Sequence, residues 1–176
     1  MTVNLSLSNT SGGSPLSDLE DMGDASPDGT ASFQDVFISH DAVAASITDV
    51  ALYVTRCVST SYLGADADAD ITEMFGWGDA GTGGIKIVMD GWGTWIIGTE
   101  NDTGTWNTIR NGYGDIDNQI ILPVDAITSG TIPSNPGEIP VGSEAHIQVK
   151  VDIPSSVPAG ANYRAFSLVI AYSATS

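Results

Sequence analysis

Between Gly142 and Ser173 apolar and polar residues alternate more regularly than anywhere else in the chain. Ile147, Val149, Val151 and Ile153 interleave with Gln148, Lys150 and Asp152, the period of two that sets one face of a strand on a core and the other in water. Pro154 and Pro158 interrupt the ladder because neither donates a backbone hydrogen bond, and Gly160 and Asn162 supply turn-forming backbone. Phe166, Leu168, Ile170 and Tyr172 then share one face, with the small or apolar Ser167, Val169 and Ala171 between them. The stretch reads as a C-terminal β-hairpin whose first arm is half-buried and whose second arm is the more fully covered.

The same periodicity recurs upstream in shorter pieces. Val3, Leu5 and Leu7 outline a short edge strand, and Phe33–Ser39 a longer one that ends in a turn around His40, Asp41 and Ala42. From Ile47 to Arg56, Val50, Leu52 and Val54 take one face and Ala51, Tyr53 and Thr55 the other, which predicts a central strand covered on both sides. Asp70 followed by Glu73 has capping-box spacing, and Ile71, Met74 and Phe75 share a side of the turns that follow, so a short helix is expected, ended by Gly76 and Gly78. Gly84–Gly91 reads as a strand with Ile85, Ile87 and Met89 on one face. A turn through Gly93, a return over Trp95–Ile97 and a strand at Gln119–Pro123 complete the set. Short strands, closely spaced turn signals and a single helix predict an all-β fold, an antiparallel β-sandwich of jelly-roll or Ig-like type with one short inserted helix. Residues 1–31 are expected to form an N-terminal strand and an acidic Gly/Ser/Pro-rich arm, and residues 32–176 the β-sandwich domain.

Charge changes this picture most. Asp and Glu number 22 against 5 Lys and Arg, a formal net charge of −17 over 176 residues, 41% of them hydrophobic. Self-repulsion on that scale opposes a compact state in dilute buffer and is relieved when salt shortens the screening length to about 3 Å at 1 M. The composition points to a protein adapted to high salt. It disfavours nucleic-acid and anionic-membrane partners, because Arg56, Lys86, Arg110, Lys150 and Arg164 are dispersed along the chain. Cys57 stands alone, so no intramolecular disulfide forms, and its strand-end position reads as a small buried hydrophobe. Neither a secretion signal nor a membrane-spanning apolar run is read from the sequence, so export by lysis is expected.

Candidate chemistry is sparse. Asp66, Asp68 and Asp70 alternate in a way that could turn carboxylates toward one centre, but an EF-hand needs Gly and Glu where Ile71 and Trp77 stand. A Ca²⁺ or other cation held in another geometry stays open for these three acids, beside a solvated acidic turn; no other cofactor is expected. Gly76, Gly78 and Gly81 match a dinucleotide fingerprint in spacing but follow a helix and precede a strand, the reverse of the context it requires. His40 and His146 are the only imidazoles, and neither has a nucleophile elbow to serve. His146 is expected on the solvent face with Gln148 and Lys150. An enzyme is therefore not expected. Trp92, Trp95, Trp106 and Tyr113 cluster among glycines and small polar residues, suited to a core or subunit interface and alternatively to stacking on sugar rings.

Three pieces, DVFISHDAVAASITDVALYV, GIKIVMDGW and SEAHIQVKVDIPSSVPAGANYRAFSLVIAYS, together resemble the small all-β structural proteins in the virions of tailed viruses. The resemblance is one of general pattern over residues 33 to 173 and transfers no functional residue. It implies a non-enzymatic head-decoration or tail component of a virus with a halophilic host, assembled in the host cytoplasm. The implied partners are copies of itself and other virion proteins. The alternative expectation is a carbohydrate-binding or host-adhesion module that uses the tryptophans on a host-surface glycan.

Overall fold

A computed structural model describes residues 5–16, 32–41, 46–56, 84–89, 107–108, 116–152 and 166–175. Among the described residues nine strands run in order: β1 (Leu5–Ser8), β2 (Ser32–His40), β3 (Ser46–Arg56), β4 (Gly84–Met89), β5 (Asn107–Thr108), β6 (Ile120–Ile121), β7 (Ile127–Ser129), β8 (Glu144–Asp152) and β9 (Phe166–Thr175), with a 3-10 turn at Val124–Ala126. Every pairing is antiparallel. The larger sheet runs β1-β2-β8-β4-β5, with β7 also on β8, and the smaller runs β6-β3-β9. The fold is the all-β sandwich that the alternation predicts. The segments expected to hold the inserted helix and the Trp95–Ile97 return lie outside the described residues.

One core joins the two sheets. Val36, Ile38, Ala145, Ile147, Val149 and Val151 enter it from the larger sheet, and Ile47, Val50, Leu52 and Val54 from the smaller. Ile120 of β6 and Ile127 of β7 add to it, Leu122, Ala126 and Ile139 close it from the connections, and Leu5, Leu7, Phe166, Leu168 and Ile170 pack at its margin. β3 is the central strand of its sheet, and Ala51 and Leu52, on opposite faces, are both buried. Its inward residues are not evenly spaced. Ile47 and Val50 both point inward because the register with β9 shifts between Thr48 and Ala51, where Asp49 takes a left-handed backbone with φ of 56°. This β-bulge adds one residue and restores the apolar phase across the break.

The C-terminal hairpin expected from the sequence does not form. β8 lies in the larger sheet between β2 and the pair β4 and β7, whereas β9 pairs with β3 in the smaller sheet. Residues 153–165 are too many for a tight hairpin, whose loops usually hold two to five residues, and the chain crosses between the layers instead. Ile147 and Leu168 thus belong to one core but approach it from opposite sides.

The expected burial of the two arms is also reversed. Every β8 residue from Glu144 to Val151 is buried, while β9 is half-buried to exposed, with Tyr172 43% exposed. β8 has a strand on each side and a covered outer face, whereas β9 pairs with only one strand among the described residues.

Candidate functional site

The outer face of β8 carries Glu144, His146, Gln148 and Lys150 in phase, 7%, 8%, 8% and 1% exposed. The expectation of a solvent-facing His146 is therefore corrected. Polar groups removed from water require partners, and β2 supplies several through its register: Ser39 stands opposite Glu144, Phe37 opposite His146 and Asp35 opposite Gln148. The Asp35 carboxylate accepts from His146 Nε2 at 2.9 Å and from Gln148 Nε2 at 2.8 Å on the same Oδ1 atom. The His146 ring lies flat on Phe37, centroids 4.2 Å apart and planes 5° from parallel. Asp35 thereby holds two long side chains in fixed positions across the strands.

Glu144 forms the other end of this polar row and binds a segment far away in sequence. Its Oε1 accepts from the Ser11 hydroxyl at 2.6 Å, and its Oε2 from the Gly12 N–H at 3.0 Å and the Ser39 hydroxyl at 2.9 Å. Burial alone would raise its pKa. The donors Ser11, Gly12 and Ser39, with the attraction of His146, outweigh that effect and hold it below the ordinary glutamate range. A carboxylate so stabilised is a weak proton acceptor at neutral pH, so its contacts with two serine hydroxyls position the chain and do not activate a nucleophile.

Beside Glu144 opens a cleft of about 250 Å³ lined by Ser11, Gly12, Ser39, His40, Asp41, Ser129, Gly142, Ser143 and Glu144. His40, 1% exposed, donates Nδ1–H to the Ile139 carbonyl at 2.7 Å, since a carbonyl can only accept. That fixes the tautomer and leaves Nε2 buried without a partner among the described residues. The backbone of His40 is tied to the same connection, accepting from Gly142 N–H and donating to the Ser143 carbonyl. His40, expected in a turn with Asp41 and Ala42, is thus the last residue of β2, stitched to the entry of β8, while Ala42 lies outside the described residues.

The smaller sheet presents a different surface. Ala51 pairs with Ile121 on one side and Ala171 on the other, which puts these three residues in one row on the face away from the core. Tyr53 with Val169 and Thr55 with Ser167 continue that face. Ile121 is 54% exposed, Ala51 is buried, and Tyr53, Thr55, Ser167, Val169 and Ala171 are half-buried. These residues carry no charge, and β9, FSLVIAYSAT, has neither a charge nor a proline over its 10 residues. Its edge away from β3 has no strand partner among the described residues.

Asp66, Asp68 and Asp70, Trp92, Trp95, Trp106 and Tyr113, and Cys57 all lie outside the described residues. Among the described residues no group of three His, Cys, Asp or Glu side chains is placed to hold a metal, and no helix is long and apolar enough to cross a membrane. The sequence reading missed Glu144, Ser11, Ser39 and Asp35. Glu144 is in phase with His146, Gln148 and Lys150, so the polar row is visible in the alternation. Its partners are not, because Ser11 is 133 residues away. No protein-family model matches the chain, and no curated protein matches it by sequence.

Proposed function

We propose that this chain is a non-enzymatic structural protein of a tailed-virus virion, on the capsid surface or in the tail. It works by packing against copies of itself and against other virion proteins in concentrated salt. The observation that carries this reading is the uncharged edge and outer face built by β9 with β3 and β6, in a chain of net charge −17. Like-charged copies can approach at low cost only where their surfaces are free of charge, and an open strand edge offers backbone donors and acceptors to a neighbour. The polar row on β8 is held within the chain: half-buried Asp35 and buried Glu144 accept five hydrogen bonds between them from described residues.

Electron microscopy of particles purified from the source culture, with antibody labelling of the chain, tests the reading. Regularly spaced label on heads or tails is expected. Particles free of the chain, together with a strictly monomeric protein in molar salt, would overturn it.

A further inference from the structure

We propose that Glu144 is a charge-dependent catch that holds an N-terminal strap, residues 5–16, on the edge of the larger sheet, and that neutralising this one carboxylate lets the strap go. Among the described residues the strap has little else to hold it. β1 pairs with β2 over four positions, Leu5 with His40 through Ser8 with Phe37, and it is the outermost strand of its sheet. Leu5 and Leu7 reach only the margin of the core. Beyond Ser8 the chain folds on itself, with Gly13 N–H donating to Thr10 O and Leu16 N–H to Leu7 O, so residues 7–16 form a closed loop. Ser11 and Gly12 at its tip are exposed, yet both donate to the buried carboxylate of Glu144. These two charge-assisted bonds fasten the loop, while the bond from Ser39 only orients the acceptor within the sheet.

The groups around the carboxylate set how it responds to acid. The strap brings only Ser11 and Gly12, neither of which titrates. β2 brings Ser39 and His40, with the exposed Asp41 just beyond its end, β7 brings Ser129, and β8 brings His146, which is itself bonded to Asp35. Because the folded protein holds Glu144 below its ordinary range, the catch is fully closed above that range and opens as pH falls through the lowered value. Protonation removes the charge and sets a donor against groups that already donate, one at Oε1 or two at Oε2. Release of the strap would uncover the edge of β2 from Phe37 to His40, a second strand edge that becomes available only when the catch is open.

Hydrogen exchange followed by mass spectrometry, in molar salt and corrected for intrinsic rates, tests this on the full chain. In Glu144→Gln, amides of residues 5–16 are expected to exchange about tenfold faster or more at pH 7 than in the wild type, while the β3 and β8 core amides keep their protection. The wild type should reach the same rates on acidification. Ser11→Ala removes one donor from an exposed loop and leaves the core untouched; it should move the wild-type release to higher pH. Unchanged strap protection in both variants, or protection lost from strap and core together as the pH falls, would overturn the proposal.

Discussion

Dilution from molar to moderate salt should loosen self-association by a calculable amount. Each copy carries a formal charge of −17. Two such copies, taken as spheres of about 20 Å radius for a domain of this length, repel at contact by about 3 kcal/mol at 0.1 M salt, where the screening length is about 10 Å. At 1 M, with a screening length of about 3 Å, the same repulsion falls to about 0.5 kcal/mol. The difference corresponds to roughly a 100-fold tightening of the dissociation constant. Sedimentation equilibrium at several concentrations of sodium chloride measures it directly. Screening is nearly complete by 1 M, whereas salting-out of apolar surface continues to grow beyond it, so the two causes separate on the salt axis. Association that stays flat from 0.1 to 1 M, or that tightens mainly above 1 M, would refute the electrostatic reasoning.

Substitutions at three positions test the packing that holds the polar row. Gly130 and Gly142 both have positive φ, 92° and 72°, but a Cβ on Gly142 meets nothing within 4 Å, whereas on Gly130 it would lie 2.5 Å from Ser143 Oγ and 2.7 Å from Ser143 Cα. Gly142→Ala should cost about 1 kcal/mol of stability from backbone strain, and Gly130→Ala about 1–3 kcal/mol more from overlap; urea titrations showing equal stability would contradict the geometry. Asp35→Ala should cost about 1–3 kcal/mol, because His146 and Gln148 lose a shared acceptor while buried. Asp35→Asn keeps an acceptor oxygen and should cost less in the same titration, and the reverse order would show that the carboxylate does not organise the pair.

The strands were legible because period-two alternation is a local signal. Val50, Leu52 and Val54 are core residues, as are Ile147, Val149 and Val151, and each set can be read from a few neighbouring positions. Even the bulge leaves a trace, since the step from Ile47 to Val50 breaks the alternation where Asp49 turns left-handed. Sheet membership is not local. Nothing in the pattern of β8 and β9 distinguishes a hairpin from a crossover except the length and prolines of residues 153–165, and the partners that decide the matter, β2 and β3, lie far back in the chain. Alternation also cannot tell a face covered by protein from one covered by water, so His146, Gln148 and Lys150 read as a solvated stripe although they are buried. The link from Glu144 to Ser11 depends on strand register and on a loop that returns to the sheet, neither of which a sequence spacing encodes.

If copies meet through the uncharged surface of β9, a charge placed there should keep them apart. Val169 lies on the outer face of the smaller sheet beside Tyr53. Light scattering in 1 M salt, with circular dichroism as a check on folding, should find a defined oligomer for the wild type and a folded monomer for Val169→Asp. A wild type that is monomeric in molar salt, or a Val169→Asp variant that assembles as well as the wild type, would contradict the account.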